Sequence, residues 1–208
     1  MSIRILTVDD HPMLREGVAA MLNAETGMEV VGEAGDAEQG ITEFRRLRPD
    51  VTLMDLQMRG MGGLNGIRTI RGECASAKII ALTTYRGDVN VREVLGAGAR
   101  GYLLKTALRA ELMDCIRRVH AGGRYVSSEL CAEIAAHAGD EPLTAREYRI
   151  LELVAEGMEN KRISSSLGIS VETVKSHVTR IFEKLQTHNR TEAIRIALRR
   201  GLLREPID

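Results

Sequence analysis

The sequence of 208 residues contains no tryptophan, only two phenylalanines and only three cysteines. Cys74, Cys115 and Cys131 are odd in number and far apart, so they predict neither a disulfide framework nor a zinc site. No apolar run is long enough to span a bilayer, and the first residues lead directly into a strand-like segment. We therefore expect a cytoplasmic protein without a signal peptide and without a membrane partner.

The chain also has a formal net charge of zero, because 29 Lys and Arg residues balance 29 Asp and Glu residues. The two signs are nevertheless unevenly distributed. Residues 1–141 carry 17 basic and 20 acidic side chains, whereas residues 142–208 carry 12 basic and 9 acidic ones. The chain length favours two domains. The small charge difference agrees with a regulatory domain followed by a domain that contacts DNA.

Five short apolar runs alternate with amphipathic, helix-length segments in the first part of the chain. Their nearly continuous apolar composition is typical of parallel strands that are buried on both faces. The runs comprise residues 3–8, 30–34, 51–54, 78–83 and 101–104. Repeated strand–helix units predict an open parallel α/β sheet with right-handed crossovers.

The strand signal disappears after the last helix of this part, which we predict at residues 108–120. Gly122 and Gly123 favour the end of that helix. Beyond it, Thr144 and Glu147 have the spacing of a capping box. Four short helices are predicted, at about 145–155, at 160–167, after Ser170 and from near Thr191. We predict a first domain at 1–121, a linker at 122–141 with helical character near 129–136, and an all-α domain at 142–208.

Acidic residues follow two strands that we expect to be neighbours. Asp9 and Asp10 end the first strand, and Asp55 follows the third. In an open sheet of order 2-1-3-4-5, the functional crevice lies beyond the carboxyl ends of strands one and three. Crowded carboxylates require a cation or protons, and an oxygen-only ligand set suits Mg²⁺. A carboxylate beside Mg²⁺ can act as a nucleophile towards a phosphoryl group. Thr83 and Lys105, at two further strand ends, could contact the phosphoryl oxygens.

Six residues in this order resemble the receiver domain of a two-component response regulator. They are Asp9, Asp10, Asp55, Thr83, Tyr102 and Lys105. The stretches at residues 8–17 and 98–105 resemble the NarL/FixJ subgroup closely. The resemblance implies a flavodoxin-like α/β fold and phosphorylation by a histidine kinase.

The resemblance also implies a role for each of these residues. Asp55 would accept the phosphoryl group. Asp10 would bind Mg²⁺ directly and Asp9 mostly through water, with Asp55 and the backbone carbonyl of Gln57 as further ligands. The remaining three residues would form the phosphoryl-binding and switch group. In that group Thr83 and Lys105 would hold the phosphoryl oxygens, and Tyr102 would swing inward.

The loop after Asp55 departs from the family pattern. Arg59 stands where the family usually has proline, and Gly62 stands where it often has aspartate. Proline would restrict φ and stiffen this glycine-rich loop. A regulator of the same fold that works without phosphorylation is therefore an alternative. A phosphatase is a second alternative, although Gln57 stands where such an enzyme needs an acidic residue.

Residues 160–185 have the layout of a helix-turn-helix. In the second helix, apolar residues at positions i, i+4, i+7 and i+11 form one stripe. These residues are Val174, Val178, Ile181 and Leu185. The opposite side is polar and partly basic, as in a helix that enters the major groove. An ordinary amphipathic surface helix is the alternative.

The second part of the chain resembles the LuxR-type helix-turn-helix. The resemblance depends on residues 143–147, 160–161, 173–177, 184–185 and 190–191. It implies that three residues face the base edges of double-stranded DNA: Lys175, Ser176 and Thr179. Four more would contact phosphates: Arg180, Lys161, His177 and Lys184. Ser164 and Gln186 stand where the family often has alanine and glycine.

The final helix carries small and apolar residues that would allow another helix to approach closely. They are Ala193, Ile194, Ala197 and Leu198. Relatives dimerise through this helix, so the resemblance implies a homodimer in the active state, bound to paired half-sites. The alternative is that these residues pack onto their own domain, and both can hold on different faces.

Overall fold

The computed structural model describes residues 2–84, 87–107, 109–137 and 139–203, without the side chains of Asp88 and Glu133. The chain divides into two compact units, which are described separately below. Residues 1–86 and 91–131 form the first unit, and residues 87–90 and 132–208 form the second. The predicted domain boundaries at residues 121 and 141 stay predictions.

The first unit is built on one parallel sheet. Its strands are β1 (Ile3–Val8), β2 (Met28–Ala34), β3 (Val51–Asp55), β4 (Ile79–Thr83), β5 (Gly101–Leu104) and β6 (Tyr125–Val126). They lie in the order β2-β1-β3-β4-β5-β6. The predicted order of the first five strands is therefore confirmed. The short sixth strand, in which Tyr125 pairs with Gly101 of β5, was not predicted.

Helices connect these strands. They are α1 (Pro12–Asn23), α2 (Ala37–Leu47), α3 (Gly63–Glu73), α4 (Asp88–Gly96) and α5 (Arg109–His120). The predicted start of the last of these, Leu108, lies outside the described residues. Every residue of β3 and β4 is buried, as the continuous apolar runs predicted.

One hydrophobic cluster joins the sheet to α1 and α5. Leu22 of α1 and Ile116 of α5 pack with Leu53 of β3, and all three side chains are buried. Full burial of such a side chain stabilises the fold by roughly 1.5–3 kcal/mol. The parallel pairing of β1 with β3 places their carboxyl ends at one edge of the sheet that this cluster covers.

The second unit is helical. Its helices are α7 (Ala145–Ala155), α8 (Asn160–Leu167), α9 (Val171–Lys184) and α10 (Arg190–Arg199). A further helix, α6 (Ser128–Ala136), lies in the predicted linker, and like α4 it has residues in both units. The four predicted helices are present. However, α10 begins at Arg190, because the side chain of Asn189 accepts a hydrogen bond from the Glu192 amide and caps the helix one residue early.

The ends of these helices follow the signals in the sequence. Thr144 and Glu147 form the predicted capping box, with the Thr144 amide donating to Glu147 Oε2 at 2.8 Å. Gly168 ends α8 at φ 64°, a conformation that glycine adopts without strain. The Arg190 guanidinium donates to the carbonyl oxygens of Val154, at 2.7 Å, and Met158, at 2.6 Å. These contacts hold the turn that separates α7 from α8.

The predicted apolar stripe of α9 forms part of the core of this unit. Val174, Ile181 and Leu185 are buried, and Val178 packs against them while partly exposed. The opposite side of α9 is therefore left facing outward from this core. Among the residues that the structure describes, none of the helices has the length and apolar character needed to cross a bilayer.

Candidate functional site

The strand register brings the acidic residues together. Val8 of β1 lies beside Met54 of β3, so the residues that follow them, Asp9 and Asp55, meet at the same edge of the sheet. The Asp55 side chain is fully buried, and Asp9 is nearly so. A Cβ atom on Gly63 would overlap the carbonyl oxygen of Asp55. Glycine at the start of α3 thus allows the helix to approach the end of β3.

Lys105 bridges two of these carboxylates. Its Nζ atom lies 2.8 Å from Asp55 Oδ2 and 2.9 Å from Asp9 Oδ2. The Lys105 amide donates to the carbonyl oxygen of Thr83 at 2.7 Å, which fixes the backbone just beyond β5. The lysine side chain is only 8% exposed, so the ammonium is held inside the site and does not extend into solvent.

Burial and pairing act in opposite directions on these groups. Burial raises the pKa of the Asp55 carboxyl above its ordinary value, and the hydrogen bond from Lys105 offsets this only in part. Burial alone would lower the pKa of Lys105, but hydrogen bonds to Asp55 and Asp9 outweigh it, so the net pKa is raised. The two directions are compatible because one ammonium serves two carboxylates. Lys105 therefore stays charged, while the Asp55 carboxyl binds a proton more readily than an exposed aspartate does.

The donor atoms of the site suit a divalent cation. One ligand atom from each of Asp9, Asp10, His11 and Asp55 lies within 4.8 Å of the others. His11 Nδ1 lies 2.8 Å from Asp10 Oδ1 but hydrogen-bonds to Asp9 Oδ1, at 3.2 Å. Asp10 Oδ1 is buried and accepts no hydrogen bond of suitable geometry from the described residues, although His11 Nδ1 lies within ion-pair distance of it. Carboxylate oxygens with one such unsatisfied atom fit Mg²⁺.

Two residues near the cluster were not singled out from the sequence. His11 directly follows Asp9 and Asp10, and this position in the sequence could have indicated that it lies at the site. Arg15 of α1 donates to the carbonyl oxygen of Asp9 at 2.6 Å, and its Nε lies 3.3 Å from Glu33 Oε2 on β2. No sequence pattern pairs α1 with β2, so this support of the acidic loop required the structure.

Gln57 connects Asp55 to the end of β4. Its amide donates to Asp55 Oδ1 at 2.9 Å, and its side-chain oxygen accepts from the Thr84 amide at 3.3 Å and also from the Thr84 hydroxyl. A metal-binding role for the Gln57 backbone carbonyl stays a prediction. Thr83 and Tyr102 have no exposed surface. The Tyr102 side chain therefore already occupies a buried position, and a swing linked to phosphorylation stays a prediction.

The outer side of α9 carries the residues expected to contact DNA. Lys175, Ser176, Thr179 and Arg180 are exposed. Lys161, on α8, is exposed as well. The four exposed residues of α9 lie opposite the buried stripe of that helix. The geometry therefore offers a polar, basic helix face that can enter the major groove.

Two of the predicted phosphate-contacting residues lie in less open positions. Lys184 is only 10% exposed, and its Nζ lies 2.9 Å from Glu147 and 3.0 Å from Glu141. Its ammonium therefore compensates the buried carboxylate of Glu147 and the exposed one of Glu141. His177 is partly buried, and its Nδ1 has no hydrogen-bond partner within the part of the chain that the structure describes. The residue types alone did not distinguish these positions from Lys175.

The predicted dimerisation residues divide into two pairs. Ala193 and Ala197 have no exposed surface and belong to the hydrophobic core of the second unit. Ile194 and Leu198 pack against that core while partly exposed. The two alanines cannot meet a second copy unless the unit opens. Of the four predicted residues, Ile194 and Leu198 are therefore the two whose side chains could contribute to a dimer contact on α10.

Comparison with protein families matches both parts of the chain. Residues 5–117 match the family described as "Response regulator receiver domain". Residues 141–197 match the family described as "Bacterial regulatory proteins, luxR family". Among curated proteins, the transcriptional regulatory protein LiaR of Bacillus subtilis is 43% identical, over 97% of this chain and 99% of the relative.

Solved structures resemble the chain over nearly its whole length. The response regulator ChrA, from a heme-sensing two-component system, is 32% identical with a TM-score of 0.57, over 97% of this chain and 99% of that one. RcsB of Salmonella enterica serovar Typhimurium, bound to promoter DNA in the presence of phosphomimetic BeF3-, is 25% identical with a TM-score of 0.74. That alignment covers 96% of this chain and 99% of RcsB.

Proposed function

Because this chain belongs to the NarL/FixJ family of two-component response regulators, we propose that Asp55 accepts a phosphoryl group that controls binding of DNA by α9. The chain is a transcriptional regulator with a receiver domain and a LuxR-type DNA-binding domain, and it is not an enzyme. The phosphatase alternative is therefore wrong. The observation that carries the proposal is the buried Asp55 carboxylate, with Lys105 Nζ at 2.8 Å and Asp10 beside it.

The reaction transfers a phosphoryl group without net oxidation or reduction. A carboxylate oxygen of Asp55 forms a bond to phosphorus as the bond between phosphorus and the donor's imidazole nitrogen breaks. The leaving nitrogen keeps the electron pair and takes a proton from solvent. An aspartyl phosphate on this chain and a neutral histidine on the kinase result. A small acyl phosphate can replace the kinase as the donor.

Mg²⁺ would be held by Asp10, Asp9 and Asp55, and it would supply positive charge for the phosphoryl oxygens. Lys105 is already in contact with Asp55, so its ammonium needs only a short movement to reach an added phosphoryl oxygen. The Thr83 hydroxyl, buried at the end of β4, would contact a second oxygen. These movements would repack the structure around Tyr102 and bias an existing equilibrium between two states.

The active state would be a homodimer on double-stranded DNA in the cytoplasm. Lys175, Ser176 and Thr179 would face base edges, and Arg180 and Lys161 would contact phosphates. His177 would contact a phosphate only from its partly buried position, and Lys184 would act by fixing the end of α9. The histidine kinase is the partner that the phosphoryl chemistry requires.

The test is phosphorylation of the full-length chain by acetyl phosphate with Mg²⁺, followed by intact-mass measurement. We expect one phosphoryl group on the wild-type chain and none on Asp55→Asn. Asp36→Asn is the matched control, because Asp36 caps α2 at its N-terminus and asparagine preserves that cap. Equal labelling of wild type and Asp55→Asn would overturn the assignment. An unlabelled wild type would favour a regulator that works without phosphorylation.

A further inference from the structure

A backbone amide of the β3–α3 loop contacts the acidic cluster. The Arg59 N–H donates a hydrogen bond to Asp10 Oδ2 with an N···O distance of 3.3 Å. Arg59 is the residue that stands where the family pattern has proline, and proline has no N–H to donate. This chain's departure from the pattern therefore creates an interaction that the usual residue cannot make.

The hydrogen bond gives the two oxygens of Asp10 different surroundings. Oδ2 accepts the Arg59 N–H, whereas Oδ1 is buried without a hydrogen-bond donor in the described part of the chain. Asp10 also supplies one of the ligand atoms that lie within 4.8 Å of those of Asp9 and Asp55. The loop thus holds one oxygen, while the other lies 2.8 Å from His11 Nδ1, accepts no hydrogen bond of suitable geometry and can still bind a cation.

From this arrangement we propose that the Arg59 backbone amide is a positioning group, which orients Asp10 for divalent-cation binding. The inference rests on the proposed function, because it assigns the cation to the same acidic site. The amide acts through Asp10 and does not touch the cation. Outer hydrogen bonds of this kind orient metal ligands, and their loss typically weakens metal affinity about 10- to 100-fold.

The surroundings explain why Asp10 needs such a group. Its side chain is 23% exposed, so packing restrains it less than it restrains the fully buried Asp55. The Arg59 side chain is exposed, so the contact with Asp10 is made by its backbone amide. Gly60 follows at φ 76°, a conformation that glycine adopts readily, so the chain can turn away directly after the amide has reached Asp10.

Titration of the full-length chain with Mg²⁺ alone, followed by isothermal calorimetry, tests the proposal. The variants are Arg59→Pro, which removes the N–H, and Arg59→Ala, which keeps it. Both remove the same side-chain charge. We expect the Mg²⁺ Kd of Arg59→Pro to exceed that of Arg59→Ala by about tenfold, the lower end of the usual range for an outer hydrogen bond.

If the loop acts only through its stiffness, we expect the Mg²⁺ Kd to change in the opposite direction. Proline reduces the freedom of the unbound loop, and pre-organisation alone would lower the Kd of Arg59→Pro. A Kd in Arg59→Pro that is equal to or lower than in Arg59→Ala would overturn the inference while leaving the proposed function intact. If the wild-type chain binds no Mg²⁺, that result would contradict both the proposed function and this inference.

An NMR measurement tests the same hydrogen bond without the proline variant, so it stays valid if Arg59→Pro fails to fold. In the NMR spectrum, a hydrogen bond to a carboxylate moves the amide proton of Arg59 downfield. We expect Asp10→Ala to abolish that downfield displacement and Asp36→Ala to preserve it. An Arg59 amide signal that is the same in Asp10→Ala and in wild type would show that the amide does not hold Asp10.

Discussion

At the scale of single residues, Asp55 combines the reactive role proposed for it with a cost to stability. Burial raises the pKa of its carboxyl, so the folded state binds a proton more tightly than the unfolded state does. The ionised carboxylate is therefore unfavourable for folding at neutral pH. This disadvantage decreases as the pH falls through the raised folded-state pKa towards the ordinary value of 3.8.

Asp55→Asn is accordingly expected to stabilise the first unit at pH 7, by an amount on the order of 1 kcal/mol. The advantage should shrink as the pH falls, because the wild-type carboxyl then becomes neutral. Hydrogen exchange of the β1 and β3 amides in the full-length chain, measured between pH 4 and pH 7, would report the difference. A variant that is less stable than wild type at pH 7 would contradict this account of Asp55.

Gln186 is a second residue whose conformation lowers the stability of the folded state. Its φ is 53°, in the left-handed region that disfavours side chains with a Cβ atom, and the family often has glycine at this position. We expect Gln186→Gly to stabilise the second unit by about 0.5–1 kcal/mol, measured by urea unfolding of the full-length chain. Gln186→Ala is the control and should give no comparable gain. Equal midpoints for the glycine and alanine variants would exclude backbone strain as the cause.

At the scale of elements, the ion pair between α7 and α9 contributes to how the stability of the second unit responds to acid. Burial would raise the pKa of Glu147, but hydrogen bonds from Thr144 and Lys184 outweigh it and lower the net pKa below the ordinary 4.5. The carboxylate therefore contributes stability above about pH 4.5, and this contribution is lost as the pH falls through the lowered folded-state pKa.

Glu147→Gln should cost the second unit about 1 kcal/mol at pH 7, close to the value of a lost helix cap. The difference from wild type should narrow as the pH falls below 4.5 through the lowered pKa of Glu147, because the wild-type carboxyl then becomes neutral, as glutamine always is. Circular dichroism at increasing urea concentration and several pH values measures it. Glu152→Gln, on the exposed side of α7, is the control. A difference that does not depend on pH would argue against the ionised pair.

The elements themselves could largely be predicted from the sequence, because local signals specify them. Continuous apolar runs identified β3 and β4, and the Thr144–Glu147 spacing identified the start of α7. The short strand β6 could not be predicted, since two residues carry too weak a pattern and it forms only by pairing with β5.

Some contacts of the candidate site could not be predicted either, because they also depend on groups that are distant in the sequence. The types and order of Asp9, Asp55 and Lys105 suggested one cluster, and the structure brings them within hydrogen-bonding distance. Contacts made by backbone groups, such as that of the Arg59 amide with Asp10, leave no trace in the residue types. The helical wheel also could not show that an acidic partner on another helix compensates Lys184.

At the scale of the whole molecule, the proposal requires phosphorylation to change affinity for DNA. We expect acetyl phosphate with Mg²⁺ to shift the wild-type chain towards a dimer in gel filtration and to tighten binding to operator DNA at fixed salt. Asp55→Asn should show neither change. Lys175→Ala should still dimerise but lose specific binding, by about 1–3 kcal/mol for each base contact removed. Dimerisation of Asp55→Asn to the same extent as wild type would refute the coupling.

The position of Lys105 between two carboxylates also bears on its own reactivity. An amine attacks an acyl carbon only through the lone pair of its neutral form, and the raised pKa of Lys105 keeps that lone pair bound to a proton. Acetyl phosphate offers both an acyl carbon and a phosphorus atom to whatever enters this crevice. The ammonium proposed to contact the phosphoryl group should therefore itself resist acetylation more than a lysine whose pKa is not raised.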